Sequence, residues 1–227
     1  MHLCISKTET VCNALMEAPQ RRKKKLGLLG GTFNPVHYGH LDIALHARDL
    51  FSLDRVALLP LGTPPHKPAN SLTPGDQRFE MVCRAVEGTP LEAWDLEIIR
   101  PGPTYTVDTL EILNGALGEE YEFFYIVGAD TLMDAPTWCN PLRVFELCTF
   151  LAFYRPGQRV EDVMRQASTL TECYNAKVSL APHTGPDISS TMIKRRVARG
   201  EDISAYVPAS VAEYIARTGL YRSCGNG

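Results

Sequence analysis

The chain has no CxxC pair, no apolar run long enough to cross a membrane, no low-complexity tract and no marked excess of charge of either sign. Each absence removes a class of function. The seven cysteines (Cys4, Cys12, Cys83, Cys139, Cys148, Cys173, Cys224) are scattered and odd in number, which gives neither a disulfide framework nor a zinc site and points to reduced thiols. A net charge of -3 provides no global attraction for nucleic acid or acidic membranes. The first twenty residues lack the continuous apolar stretch of a signal peptide. A cytoplasmic protein is therefore expected, with no nucleic acid and no membrane among its partners and a homo-oligomer left open. Also missing are a GK[ST] phosphate loop and the GxGxxG dinucleotide fingerprint.

What remains is an ordinary globular composition: 227 residues, 44% hydrophobic and 22% charged, enough for one sizeable core. Short apolar runs alternate with helix-length segments, the pattern of a parallel sheet covered on both faces. The spacing predicts strands near 26–30, 55–60, 94–99, 122–127, 147–153 and 177–181. Helices are expected near 38–51, 74–87, 106–116, 140–146, 159–170, 190–199 and 208–217. The fold class is thus α/β, a Rossmann-like doubly wound parallel sheet with a small C-terminal helical subdomain. The corresponding boundaries are 1–25 for an N-terminal extension, 26–183 for the core and 184–227 for the subdomain. The basic run of Arg21, Arg22, Lys23, Lys24 and Lys25 reads as a solvated tail, and Met16 as an alternative start.

One segment carries most of the chemistry: Gly30-Gly31-Thr32-Phe33-Asn34-Pro35-Val36-His37-Tyr38-Gly39-His40, set between an apolar strand and an amphipathic helix. Paired glycines let the backbone approach a ligand, and a helix N-terminus offers free N–H groups to an anion. His37 and His40, three apart, share a helix face. A second segment, Ile188-Ser189-Ser190-Thr191-Met192-Ile193-Lys194-Arg195-Arg196, combines an N-cap signature with cations on the first turns. Taken singly, each could be an ordinary capped helix; together they form a phosphate clamp.

The first segment resembles the GGxFDPxHxGH signature of the nucleotidylyltransferase superfamily and the second its ISSTxIRxR pattern, with Asn34 for the usual Asp and Lys194 for the usual Arg. Further stretches narrow the likeness: Pro64-Pro65-His66-Lys67, Arg78 through Met81, Gly102 through Leu110, Gly128-Ala129-Asp130, and Trp138. In this order they look like the bacterial nicotinate mononucleotide adenylyltransferases, from about residue 26 to Tyr221. The resemblance implies transfer of the adenylyl group of ATP to nicotinate mononucleotide in NAD biosynthesis, releasing pyrophosphate. It implies catalytic roles for His37, His40, Lys67 and Arg196. ATP would be held by Gly30, Gly31, Thr32, Phe33, Gly128, Asp130, Ile188, Ser189, Ser190, Thr191 and Lys194. The mononucleotide would be held by Trp138 and by the backbone N–H groups of Thr106 and Cys139. Mg²⁺ would arrive with ATP, without a protein cage. The alternatives are a sister enzyme acting on phosphopantetheine or transferring cytidylyl groups, and a catalytically idle nucleotide-binding module. An NAD-dependent oxidoreductase lacks its glycine fingerprint.

Overall fold

A computed structural model describes residues 22–62, 72–154, 157–183 and 185–222. Six strands, β1 (Lys24–Gly31), β2 (Arg55–Pro60), β3 (Glu92–Ala93), β4 (Tyr121–Gly128), β5 (Cys148–Tyr154) and β6 (Lys177–Pro182), form one sheet. All pairings are parallel and the order is β3-β2-β1-β4-β5-β6. The helices are α1 (Tyr38–Phe51), α2 (Gly75–Val86), α3 (Thr106–Leu117), α4 (Ala129–Asp134), α5 (Pro141–Leu147), α6 (Val160–Tyr174), α7 (Ser190–Ala198) and α8 (Ala209–Thr218), with a 3₁₀ turn at Ala135–Thr137.

The strands alternate between two apolar clusters, as strands buried on both faces must. Leu26, Leu28, Phe123, Tyr125 and Phe150 point to the face covered by α3, α4, α5 and α6. Leu29, Val56, Leu58, Ile126 and Phe153 point to the other, covered by α1, α2, α7 and α8. The C-terminal helices thus share a core with the sheet: Ile193, Val211 and Ile215 pack in the same cluster as Leu29 and Leu41.

Two expectations need correction. Residues 94–99 are not a strand: the edge strand is only Glu92–Ala93, and the chain then turns on bonds from the Ile98 and Ile99 amides to the Asp95 carbonyl. The apolar residues there are misleading, since Ile99 is 68% exposed while Glu97 is buried. The basic run is also not all tail, because Lys24 and Lys25 open β1. Their ammonium groups lie over the Tyr121 and Phe124 rings and bond Glu120 and the Phe51 carbonyl.

From β1 the sheet extends to β2 on one side and β4 on the other, so the connections at their carboxyl ends diverge. That divergence opens a crevice between β1 and β4, the topological switch point where open α/β sheets bind ligands.

Candidate active site

Gly30 and Gly31 end β1 against Tyr125 of β4. A Cβ at Gly30 would collide with the Tyr125 hydroxyl, so only glycine allows this approach. The chain then turns through Phe33, which is buried with a φ of 44°. Asn34 is buried too and accepts from the Tyr221 hydroxyl at 2.6 Å, a structural bond that an amide oxygen makes without bringing charge into the loop. His37 is the extended N-cap of α1, and its backbone N–H donates to His40 Nδ1 at 3.2 Å. The two rings stack with centroids 3.7 Å apart, and the Phe33 ring meets His40 edge-on at 4.9 Å. With Nδ1 accepting, a neutral His40 carries its proton on Nε2, a donor suited to a phosphate oxygen.

The second motif meets the first directly. Ser189 caps α7, its hydroxyl accepting from the Met192 amide at 3.2 Å, and the Ser190 hydroxyl donates to the Pro35 carbonyl at 2.9 Å. The N-termini of α1 and α7 therefore converge on one cavity of about 640 Å³. Gly30, Gly31, His37, His40, Gly128, Ile188, Ser189 and Ser190 border it.

Its other wall comes from the α3 side of the sheet. Thr104, Tyr105 and Thr106 enter α3 there, with Thr106 as the first helical residue. Trp138 and Cys139 follow the 3₁₀ turn, and the Trp138 ring packs edge-on to Tyr125 at 5.8 Å. Burial pushes the Tyr125 phenol pKa upward, which keeps it neutral.

Other expected residues stand apart. Thr32, Phe33, Asp130, Thr191, Lys194 and Arg196 are not among those lining this cavity. Asp130 is exposed and accepts from Gln158 at 3.1 Å. Thr191 and Arg196 border a second cavity of about 320 Å³ that shares Ser189 with the first. There Arg196 pairs with Glu201 at 2.9 Å and lies over the Tyr206 ring. Lys67 lies outside the described residues.

The sequence assigns three further groups no place in the site, although Arg78 opens one of the family-like stretches. Arg78, 2% exposed, donates to the carbonyls of Thr73, Thr32 and Gly62 at 2.9, 2.9 and 3.1 Å, pinning the phosphate loop to the segment after β2. His183 lines the cavity with Nε2 2.7 Å from Asp42, 141 positions earlier in the chain. Glu97 is buried behind the Thr104 wall. Partners so distant in sequence leave no periodicity to read.

Residues 28–196 match the cytidylyltransferase-like family model. A protein of Desulfatibacillum aliphaticivorans named probable nicotinate-nucleotide adenylyltransferase is 39% identical over 219 residues, covering 87% of this chain and 99% of that protein. Its namesake in Thermomicrobium roseum is 40% identical over 200 residues, covering 88% and 92%. Among solved structures, Plasmodium falciparum nicotinic acid mononucleotide adenylyltransferase complexed with NaAD superposes with a TM-score of 0.72 at 20% identity, over 87% of this chain and 97% of that one, a likeness of fold. With the family model spanning the sheet and both phosphate motifs, and relatives matched over nearly their whole length, the chain belongs to the nicotinate-nucleotide adenylyltransferase family.

Proposed function

We propose that this protein transfers the adenylyl group of ATP to nicotinate mononucleotide, forming nicotinate adenine dinucleotide and pyrophosphate. The observation that carries this reading is the single cavity at the switch point, with two histidines and two helix N-termini at one wall and Trp138 with the α3 N-terminus at the other. Such a site suits a triphosphate beside an aromatic acid. The family relatives carry the corresponding name, and solved structures of the same fold are complexed with NaAD and with APC.

In the reaction an ionised phosphate oxygen of the mononucleotide bonds to the α-phosphorus of ATP while the bond to the β-phosphate bridging oxygen breaks. The nucleophile is already deprotonated at neutral pH, so no general base is needed. Catalysis then consists of alignment and cancellation of negative charge. His37, His40 and the amide ends of α1 and α7 would meet the phosphates, and Trp138 would stack on the pyridine ring. Among the described lining residues none carries a carboxylate, a donor set that suits phosphate oxygens. Mg²⁺ would therefore ride on the triphosphate, held by phosphates and water, and supply further charge neutralisation. Among the described residues no helix is long and apolar enough to cross a membrane, in keeping with a cytoplasmic enzyme.

The test is purified protein with ATP or CTP, Mg²⁺ and a panel of phosphate acceptors, reading pyrophosphate. Release with nicotinate mononucleotide is the expected result. Release only with phosphopantetheine or a cytidylyl donor pair would assign a sister activity, and binding of ATP without release would mark an idle module.

A further inference from the structure

Behind the cavity wall formed by Thr104, Tyr105 and Thr106, a carboxyl group is sealed inside the protein. Glu97 is 2% exposed. Its Oε1 accepts from the Thr109 hydroxyl at 2.8 Å, and that hydroxyl in turn accepts from the Arg100 guanidinium at 3.0 Å. Arg100 makes its direct ion pair with Asp108, also at 3.0 Å. The other oxygen, Oε2, and Thr104 Oγ1 are both closed off from solvent without a well-formed hydrogen bond. Thr104 and the Gly62 backbone nevertheless lie close enough to act on the carboxyl. Gly62 packs so tightly on the Glu97 carbonyl that a Cβ there would collide with it.

Thr109, Arg100, Thr104 and the Gly62 backbone each favour an ionised carboxyl, but with no direct cation their sum falls short of the cost of burying the charge. A proton on Oε2 removes that cost and has a neighbour to receive its hydrogen bond. We propose that Glu97 is a positioning residue that works as a carboxylic acid, donating to Thr104 Oγ1 and thereby fixing the 104–106 segment that meets the acid group of the mononucleotide. The inference rests on the reading above, in which the Thr106 amide faces that acid. An ionised group behind this wall would also oppose the negative charge of the substrate. Burial raises the Glu97 pKa, in keeping with the neutral form. The titratable groups acting on it are Arg100, reached through Thr109, and the Tyr125 phenol of β4, itself held neutral.

The experiment compares the unmodified protein with Glu97→Gln and Glu97→Ala, measuring KM for nicotinate mononucleotide and for ATP from mildly acid to alkaline pH. Glutamine can accept from Thr109 and donate to Thr104, so its KM for the mononucleotide should stay within about twofold at neutral pH. Alanine should raise that KM about tenfold or more and leave the KM for ATP little changed. As pH rises and Glu97 ionises, the unmodified enzyme's KM should climb, while the glutamine variant's stays flat. Glutamine as damaging as alanine, unmoved KM values in both, or parallel pH curves would each overturn the proposal. Should the alanine variant not fold, the glutamine comparison and the pH curves decide. Absence of pyrophosphate release by the unmodified protein would defeat the proposed function and this role together, whereas normal turnover with unmoved variants defeats only the role of Glu97.

Discussion

The Ser190 hydroxyl donates to the Pro35 carbonyl at 2.9 Å, joining segments 155 positions apart and setting the N-terminus of α7 against that of α1. Ser190→Ala removes this bond and should cost about 1 kcal/mol of stability. Because both phosphate-facing helix ends lose their mutual reference, kcat should fall by about tenfold, more than that stability loss would produce in a folded enzyme. Ser189→Ala, which removes the N-cap of α7 at the cavity edge, should destabilise by about 1 kcal/mol. Thermal unfolding and steady-state kinetics on both variants separate the two roles.

His40→Ala should lower turnover on the order of a hundredfold while costing only about 1 kcal/mol of stability, since the ring borders the cavity, is partly buried and gives up one cap bond. Single-turnover rates at saturating ATP are the measurement. A variant with near-normal rates would remove His40 from the catalytic set.

Trp138→Ala should weaken nicotinate and nicotinamide mononucleotides alike, because stacking does not distinguish an acid from an amide. The choice between them falls to N–H donors. An amide NH₂ turned toward the Thr106 or Cys139 amide leaves a buried donor unpaired, at about 1–3 kcal/mol, and forfeits a charge-assisted bond. The unmodified enzyme should therefore prefer the acid by about a hundredfold in kcat/KM, and the tryptophan variant should keep that ratio. Competition between the two mononucleotides gives the ratio directly.

Arg78 is the severe stability site. Arg78→Met leaves three carbonyls without their donor and should cost about 3 kcal/mol, and Arg78→Lys should recover only part of it because an ammonium cannot reproduce the three-way fork. Denaturant titration of the two variants gives the order.

The edge strand carries a pH signature. Arg55 grips both carboxylate oxygens of Glu92, at 2.7 and 2.6 Å, and holds the Glu92 pKa below its ordinary 4.5. A depressed carboxylate pKa stabilises fully above the ordinary value, and that contribution is lost as pH falls through the lowered one. Both side chains are about a third exposed, so solvent screens the pair and the effect should be small. Glu92→Gln should lower Tm slightly at neutral pH and not at all in strong acid.

Legibility in the sequence followed the range of the interactions. Strands β1, β2, β4 and β5 announced themselves by continuous apolar runs, β6 by its alternation of Val178 and Leu180 with Lys177 and Ser179, and the phosphate loop because glycine and histidine spacing is local. Helix α4 and the 3₁₀ turn escaped because six and three residues are too few for a helical period. The 94–99 segment deceived because Trp94, Leu96, Ile98 and Ile99 look like a strand, while the buried member is a glutamate whose partner, Thr109, is twelve positions away. Pairings such as His183 with Asp42 arise only once β6 lies beside β5.

The bond from Tyr221 to Asn34 spans 187 positions, and burial pushes the Tyr221 pKa up to about 12, so the phenol remains a donor at any cellular pH. Synthesis delivers these two residues at opposite times. The glycine-histidine loop leaves the ribosome early, and the residue that closes on it arrives only after the whole sheet has been made. A nascent chain accordingly carries the loop without this latch, and a message cut short between the first motif and codon 221 yields a protein whose first motif is intact in letters and lacks this bond in space.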